Sequence, residues 1–431
     1  MKAFQIKLGF RSLIYRKKQY ISLFLICLFG TGISLFSLFL SRGMIFSLNE
    51  RAELYYGGDF CVMNNSGFDR AIPEYLEKMK KMKELLPPDA CISARYDFDA
   101  GTTTSFYYEG EEVRQRVIKG VNFQDEKYLF SKLNFLSGNA DIEAGSNSIL
   151  ISEPIAKKLG VSLGDEIILY LRTLHGYINT VPLEIHGIFQ DSSVFGMYTT
   201  YMDFQFLRDA YGHNKNFANR ICVQFPQRKE LSQKELIKIQ SEFEKNFTMF
   251  PLVDDKNTFY NEGGKAPAGT LAIIALKANL NDVKILKNAM TAIISLVIIL
   301  LIIIIVAGIG STYRVIVMKR INEIGVYMAI GMEKRDIMSC LLFETLFLLI
   351  SGCLAGMIFA GLLCGIFSSI KFTFIPSFSI FLTKGYLHPV WDGLWISGLL
   401  LSVIFVTLAA VFYSVKKCVN IMPCQAISAN E

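Results

Sequence analysis

The sequence predicts an integral membrane α-helical protein with four transmembrane helices and a large extracytoplasmic mixed α/β domain between the first and the second. Four long apolar stretches occur in the 431 residues, and each is long enough to cross about 30 Å of hydrocarbon as a helix. A long polar segment separates the first stretch from the second. The chain is 52% hydrophobic and only 19% charged, as expected when apolar spans dilute an ordinary soluble domain.

The four predicted spans cover residues 20–41, 288–313, 340–367 and 391–414. The second is the clearest, since NAMTAIISLVIILLIIIIVAGI contains no charged side chain. The first has a basic flank and could be interpreted as a signal peptide. Its apolar run is longer than that of a typical signal peptide, and LFLSRGM offers no small-x-small cleavage site. A retained helix is therefore the favoured interpretation.

Lysine and arginine near the span ends predict the orientation, because cytoplasmic segments are enriched in them. Residues 1–19 carry six basic residues and no acidic one, and the 314–339 connection and the 415–431 tail are also basic. These three segments are expected in the cytoplasm. Residues 42–287 and the short 368–390 loop are expected outside. The formal net charge of +6 thus reflects topology, and it gives no reason to expect nucleic-acid binding.

Residues 1–19 place apolar residues among the basic ones, which indicates a short amphipathic helix on the inner leaflet. A simple basic flank is the alternative. Residues 42–287 are predicted as mixed α/β. Helical spacing marks 70–86, and a strand, helix, turn and strand follow one another over 147–170. Two strand–helix–strand halves are expected to flank a central insert at about 119–200.

Motifs for catalysis or metal binding are absent from the sequence. No GxxxxGK[ST], GxSxG or HExxH occurs, so we expect no enzyme activity, no metal site and no cofactor bound by this chain. Asp97 and Asp99 are interpreted as part of a solvated strand face. Among the nine cysteines, only Cys61, Cys91 and Cys222 are predicted outside. At most one disulfide can form among three, and its pairing stays open.

The most informative motif is the 314–338 segment, RVIVMKRINEIGVYMAIGMEKRDIM. We expect it to extend the second span, to break at Gly325 or Gly331, and to turn toward the third span. Its apolar residues alternate with charged ones such as Glu323. A segment with one apolar and one charged face at the bilayer surface can bind a groove on a soluble partner. The alternative is a connector that rests on lipid.

Two features of the third span suggest helix packing and function. Glycines four residues apart let helix backbones approach closely, although chance in a glycine-rich helix is an alternative. Those residues are Gly352, Gly356, Gly361 and Gly365. Glu344 is an intramembrane carboxylate and therefore a candidate functional residue. The alternative is a structural anchor that reaches headgroup water or pairs with Lys334 or Arg335.

The 314–338 segment resembles the R-x-x-EIG-x-x-x-A-x-G pattern of FtsX-like permeases, the ABC transporter family of MacB and of the lipoprotein-release subunits LolC and LolE. Tyr327 and Met332 depart from the residues usual in that family. Segment 148–189 is similar to the family's middle subdomain. The residues that carry the pattern are Arg320, Glu323, Ile324, Gly325, Ala329 and Gly331. Further similarities are found at Phe10-Arg11-Ser12-Leu13, Glu344, Pro423 and Ala426.

The resemblance implies a multi-pass protein of a bacterial cytoplasmic (inner) membrane. It implies a separate ABC ATPase subunit that binds the 314–338 segment and uses ATP and Mg²⁺, and a second permease chain, identical or different. ATP-driven motion would be transmitted to the outer domain, a process called mechanotransmission. Membrane lipids are further implied partners.

Lipoprotein release is the favoured function, because SRGMIFSLNERAELYYGGDFCVM resembles the span-to-domain join of LolC/LolE-like proteins. A lipoprotein chaperone would then be a partner. The alternatives are MacB-like efflux of peptides or drugs through a periplasmic adaptor, and a non-transporting FtsX-like regulator of signalling or cell division.

Overall fold

The computed structural model describes residues 11, 15, 17–99, 101, 104–191, 195–196, 199–227, 231–372, 378 and 381–419. The chain divides into two units. The helical unit comprises Met1–Gly43, Asn288–Ile370 and Pro389–Glu431, and the α/β unit comprises Met44–Lys287 and Lys371–His388. Most of the predicted amphipathic helix, and the Pro423 and Ala426 pair, lie outside the described residues.

The described residues form twelve α-helices. They are α1 (Lys17–Tyr56), α2 (Tyr75–Leu85), α3 (Lys127–Phe130), α4 (Glu153–Leu159), α5 (Phe204–Tyr211), α6 (Gln233–Glu244), α7 (Lys256–Glu262), α8 (Leu276–Asn279), α9 (Lys284–Lys319), α10 (Ile321–Ala329), α11 (Lys334–Ser368) and α12 (Gly393–Val419).

Four of these helices, α1, α9, α11 and α12, are long and apolar enough to cross a membrane, which confirms that the chain holds four apolar helices. Helix α1 continues well past the predicted span end at residue 41. Its last turns bury Leu48, Ala52 and Tyr56 in an apolar cluster that includes Phe195. Hydropathy marks only the lipid-compatible part of a helix, so this extension of α1 into the α/β unit is not apparent from the sequence.

One sheet of twelve strands forms the core of the α/β unit. The strands are β1 (Phe60–Asn64), β2 (Cys91–Asp99), β3 (Ser105–Tyr108), β4 (Glu111–Arg114), β5 (Val117–Val121), β6 (Phe135–Gly138), β7 (Ser148–Ser152), β8 (Glu166–Arg172), β9 (Ile178–Phe189), β10 (Thr199–Asp203), β11 (Arg220–Gln224) and β12 (Leu271–Ala275). Their order is β12-β1-β11-β2-β5-β10-β7-β9-β8-β3-β4, and β6 pairs with β9.

The first four strands of this order are a split β-α-β arrangement. β1 pairs with β12 and β11, and β11 pairs with β2, all antiparallel. Helix α2 connects β1 to β2, and α6 follows β11. Both helices bury side chains in the main core, among them Met82, Ile239 and Phe243.

The remaining strands of the sheet do not coincide with the residues of the insert predicted at about 119–200. The hairpin β3–β4 precedes residue 119, yet β3 pairs with β8 inside the insert. The predicted insert therefore leaves out the β3–β4 hairpin, which belongs to the same part of the sheet. Pairing between distant strands depends on side-chain packing in the folded sheet, so sequence order did not indicate where this hairpin belongs.

Candidate functional site

The connection between α9 and α11 is a short helix between two breaks. Arg320 leaves helical geometry with φ −102° and ψ 13°, and α10 follows. The second break is Gly331, whose φ of +90° suits glycine. The N–H of Gly331 donates to the Met328 carbonyl and that of Met332 to the Tyr327 carbonyl, both at 3.0 Å. This is the Schellman pattern that ends helices.

The predicted break is thus found at Gly331 and not at Gly325, which is buried inside α10. The additional break at Arg320 was not predicted. The break lies between the end of α9 at Lys319 and the start of α10 at Ile321. The Arg320 side chain at this break is buried in the helical unit.

Arg320 lies at the centre of a buried polar network. Its Nη1 donates to Glu344 Oε2 at 2.8 Å and to the Tyr20 hydroxyl at 3.0 Å. The Tyr20 hydroxyl donates to Glu344 Oε1 at 2.7 Å. Arg320 is 6% exposed and Glu344 1%. This Tyr20–Arg320–Glu344 network joins α1, the α9–α10 bend and α11.

The partner of Glu344 is therefore neither Lys334 nor Arg335, the two cations named in the alternative interpretation. Lys334 and Arg335 are exposed, and they lie more than two helical turns before Glu344, about 13–15 Å along the same helix. A buried carboxylate needs a cation much closer than that. The bend after α9 places Arg320 beside Glu344 as its counter-ion. The arginine of the R-x-x-EIG pattern was the available signal, but its position after Lys319 suggested a solvated basic stretch.

The network is supported by Tyr313, which sequence analysis also missed. Tyr313 is fully buried, and its hydroxyl donates to the Leu341 carbonyl at 2.8 Å. Its ring lies 6.5 Å from that of Tyr20, centroid to centroid. The hydroxyl therefore ties α9 to α11 at the level of the network.

The six residues predicted to contact an ATPase do not form one surface. Arg320, Ile324 and Gly325 are buried, and Glu323 is half-buried, accepting from Arg320 Nε at 3.3 Å. Only two of the six, Ala329 and Gly331, are exposed. The exposed residues at the end of α10 form what we call the connection tip: Val326, Ala329, Ile330 and Gly331.

The glycines of α11 divide into two pairs. A Cβ on Gly352 would lie 2.7 Å from Cys27 Cβ, and one on Gly356 would lie 2.1 Å from Thr31 Oγ1 and 2.9 Å from the Leu28 carbonyl oxygen. The first pair therefore packs directly against α1. In the second pair, a Cβ on Gly361 would make ordinary contact with a side chain, and one on Gly365 would meet no atom within 4 Å among the described residues.

This difference predicts opposite results for two alanine substitutions. Gly356→Ala is expected to destabilise the protein by about 1–3 kcal/mol, because α1 and α11 must separate to accommodate the methyl group. Gly365→Ala is expected to be neutral or slightly stabilising, since alanine favours helix. The full chain is solubilised in a mild detergent and titrated with a denaturing detergent. The titration measures the free energy of unfolding of both variants. Equal effects of the two substitutions would contradict the close α1–α11 packing.

A second buried polar cluster lies in the α/β unit. Arg95 of β2 is fully buried and pairs with Glu126, with Nε 2.8 Å from Oε1. Its Nη1 donates to the carbonyls of Leu54 at 3.1 Å and Tyr55 at 3.2 Å, in the last turn of α1. A cation at a helix C-terminus compensates the unpaired carbonyls and the negative end of the helix dipole. Arg95 thus attaches the end of α1 to the sheet.

Asp97 extends this cluster and corrects the interpretation of a solvated face, which applies only to exposed Asp99. Asp97 Oδ2 lies 2.8 Å from Lys119 Nζ and 2.6 Å from Arg220 Nε. Burial works against the charged carboxylate, but Lys119 and Arg220 outweigh it and hold the pKa of Asp97 at about 2. Burial lowers the pKa of Lys119 to about 8, although Asp97 opposes the shift. Both groups are therefore charged at neutral pH.

The described residues hold no group of three or more side chains arranged to bind a metal ion.

The fold and the site define a multi-pass membrane protein. In this protein, a buried network ties the bent connection to three apolar helices. Residues 295–423 match the family described as FtsX-like permease C-terminal, and this match supports a place for the chain in the FtsX-like ABC permease family. The match includes the bend, α10, α11 and Glu344. No curated protein matches the chain.

The match suggests that the chain is a permease subunit of an ABC transporter. FtsX-like permeases are generally not enzymes and typically work with an ABC ATPase. The four apolar helices fit a multi-pass protein of the inner membrane.

Proposed function

We propose that this chain binds a separate ABC ATPase at the connection tip and transmits its motion, through the Tyr20–Arg320–Glu344 network, to α1 and the α/β unit. The observation that carries the proposal is the position of the exposed tip. It follows directly on a bend whose guanidinium is buried and bonded to α1 and α11.

The chemistry of the tip suits an apolar groove on a soluble partner. Ile330 is 75% exposed and Val326 52%, and they lie four residues apart, on one face of the helix. Exposed apolar side chains grouped in this way mark interaction surfaces. Lys334 and Arg335, both exposed, follow the tip and favour a groove with an acidic margin.

The network gives the connection the stiffness that transmission needs. A partner that moves α10 displaces Arg320, which cannot leave Glu344 without stranding a buried charge, at a cost of several kcal/mol. Displacement of α10 is therefore expected to move α1 and α11 with it. Helix α1 is continuous from Lys17 to Tyr56, and its last turn is bonded to Arg95.

A substitution at the tip tests this proposal. Ile330→Glu is expected to reduce co-purification of the ATPase at least tenfold, because a carboxylate would enter an apolar groove. Ile330→Leu, of equal volume and polarity, is the matched control and should retain binding. Ile178→Glu, at another exposed position, controls for added charge. Undiminished binding and ATP hydrolysis with Ile330→Glu would show that the ATPase binds elsewhere.

We further propose that the substrates are lipoproteins, released from the membrane by a pair of permease chains. The support is the join between α1 and β1, where the resemblance to lipoprotein-release subunits lies. Gly57 and Gly58 adopt φ of +95° and +118°, which suits glycine, and both N–H groups donate to the Glu53 carbonyl. Asp59 then accepts from the Phe225 N–H at 2.7 Å.

Depletion of the protein followed by fractionation of lipoproteins tests the substrate. Lipoproteins retained in the inner membrane would support release. Normal sorting with raised sensitivity to drugs or peptides would favour efflux through an adaptor. Normal sorting and sensitivity with a division defect would favour a regulator.

A further inference from the structure

The structure distinguishes the three cysteines of the α/β unit. Cys61 on β1 and Cys222 on β11 are directly opposite each other in the antiparallel ladder. Cys91 begins β2 and is paired with Gln224. It is therefore displaced by two residues from Ser93, the residue opposite Cys222. Directly paired residues point to the same face of a sheet, so the Cys61 and Cys222 side chains share a face.

The backbone pattern places the pair at a close-approach position. The Leu276 N–H donates to the Asp59 carbonyl at 2.8 Å, on the β12 side of β1. Two residues later along the strand, the backbone groups of Cys61 face β12 again. Toward β11, Cys61 and Cys222 are therefore a non-hydrogen-bonded pair, for which the Cα atoms lie about 4.5 Å apart.

That separation falls within the range of about 4.4–6.8 Å that a disulfide requires. Cys91 is a diagonal neighbour of Cys222, at roughly 7–8 Å between Cα atoms, beyond what a disulfide spans without backbone movement. The register thus resolves the pairing that the cysteine count left open.

The shortest polar contact of either thiol is with Arg220, whose Nη1 donates to Cys61 Sγ at 3.5 Å. Cys61 Sγ lies 3.8 Å from the Ile274 carbonyl oxygen and Cys222 Sγ 3.9 Å from that of Tyr56, both weak contacts. The two side chains are 1% exposed and lie in one apolar cluster with Met63, Phe259 and other residues. A disulfide is apolar, so this buried cluster can accommodate it.

We propose that Cys61 and Cys222 form a disulfide that joins β1 to β11 in the mature protein, while Cys91 remains a free thiol. The proposal rests on the placement outside the cytoplasm that the sequence predicts for residues 42–287, because disulfides persist in oxidising compartments. The oxidant is a thiol–disulfide oxidoreductase of that compartment.

The chemistry is two successive thiol–disulfide exchanges. The Cys222 thiolate attacks the oxidant's disulfide, forms a mixed disulfide and releases one of the oxidant's sulfurs as a thiol. The Cys61 thiolate then attacks the Cys222 sulfur and releases the oxidant's second sulfur. The two cysteines lose two protons and two electrons, and the oxidant becomes a dithiol. Burial raises the pKa of the Cys222 thiol, so exchange occurs during folding, before the sheet closes over the pair.

The bond would have a mechanical consequence at the join with α1. Strand β1 begins shortly after the last residue of α1, and Cys222 Sγ lies against Gly57, where an added Cβ would be 2.4 Å away. A covalent link here fixes β1 to β11 directly beside the end of the helix. Displacement of α1 would then move both strands together.

The test uses the full chain in its own cells. Acid quenching, alkylation with N-ethylmaleimide and digestion without reductant precede mass spectrometry. We expect a linked peptide pair that contains Cys61 and Cys222, with Cys91 alkylated. A small charged maleimide added to intact cells reports the placement independently, because Cys91 is exposed.

The outcomes separate the two proposals. If Cys91 is labelled in intact cells and both Cys61 and Cys222 are alkylated, the disulfide is contradicted. The outer placement is then still supported. Cys91 unlabelled and all three thiols free overturns both. As a second measurement, reductant should lower the melting temperature of the purified chain by about 5–10 °C. The Cys61→Ala/Cys222→Ala variant should show no such dependence, and an equal shift in this variant counts against the bond.

Discussion

Glu344→Gln is expected to destabilise the helical unit by about 3–5 kcal/mol, because it leaves the buried Arg320 guanidinium without its counter-ion. Glutamine keeps the shape of the side chain, so the loss reports charge rather than packing. Titration of the full chain with denaturing detergent measures the free energy of unfolding. The same substitution should lower the ATPase-driven activity, since the connection is then no longer tied to α11.

Two further variants make this prediction specific. Arg320→Met combined with Glu344→Gln removes both charges and should be less destabilising than the sum of the single changes, by about 0.5–3 kcal/mol of coupling. Glu323→Gln is the matched control. Its side chain is 38% exposed in its pair with Arg320, so less than about 1 kcal/mol is expected. If Glu344→Gln is no more harmful than Glu323→Gln, the network does not hold the helices together.

Arg95→Met is expected to cost a similar amount, about 3–5 kcal/mol, in the α/β unit. The substitution leaves Glu126 buried and unpaired and deprives the Leu54 and Tyr55 carbonyls of their donor. Thermal unfolding of the full chain measures the loss. A loss confined to about 1 kcal/mol would mean that the cluster is not a structural centre of this unit.

The role of Arg95 in transmission needs a variant that still folds. Arg95→Lys keeps the charge near Glu126 but cannot reproduce the several donors of the guanidinium, which serve Glu126 and the end of α1 together. We expect this variant to bind the ATPase normally and to lose activity. Lys157→Met is the control, because the Lys157 side chain in its pair with Glu153 is 75% exposed and contributes little. Full activity with Arg95→Lys would restrict Arg95 to a structural role.

Part of this architecture could be predicted from local sequence. Runs of apolar residues mark the four helices because the hydrocarbon excludes charge over about twenty consecutive residues. The R-x-x-EIG-x-x-x-A-x-G pattern identified the connection because its residues lie close together in the chain. Gly331 was a candidate break for a local reason as well, since a left-handed residue at a helix end is usually glycine.

The partners of buried charges depended on tertiary structure. Tyr20 and Glu344 are separated by 324 positions in the chain, and nothing local indicates that they meet. Arg320 looked like one more cytoplasmic cation until the bend placed it inside. Asp97 looked like one of two solvated acids until the sheet enclosed it with Lys119.

By itself, the sequence determined that the chain is a membrane protein, how many apolar helices it has and which segment connects the second to the third. These properties follow from composition and from patterns within a few helical turns. Tertiary structure alone decided the counter-ion of Glu344, the extent of the insert and the cysteine opposite Cys61. Each of these requires a backbone bend or a strand register, and both are fixed by packing between segments far apart in the chain.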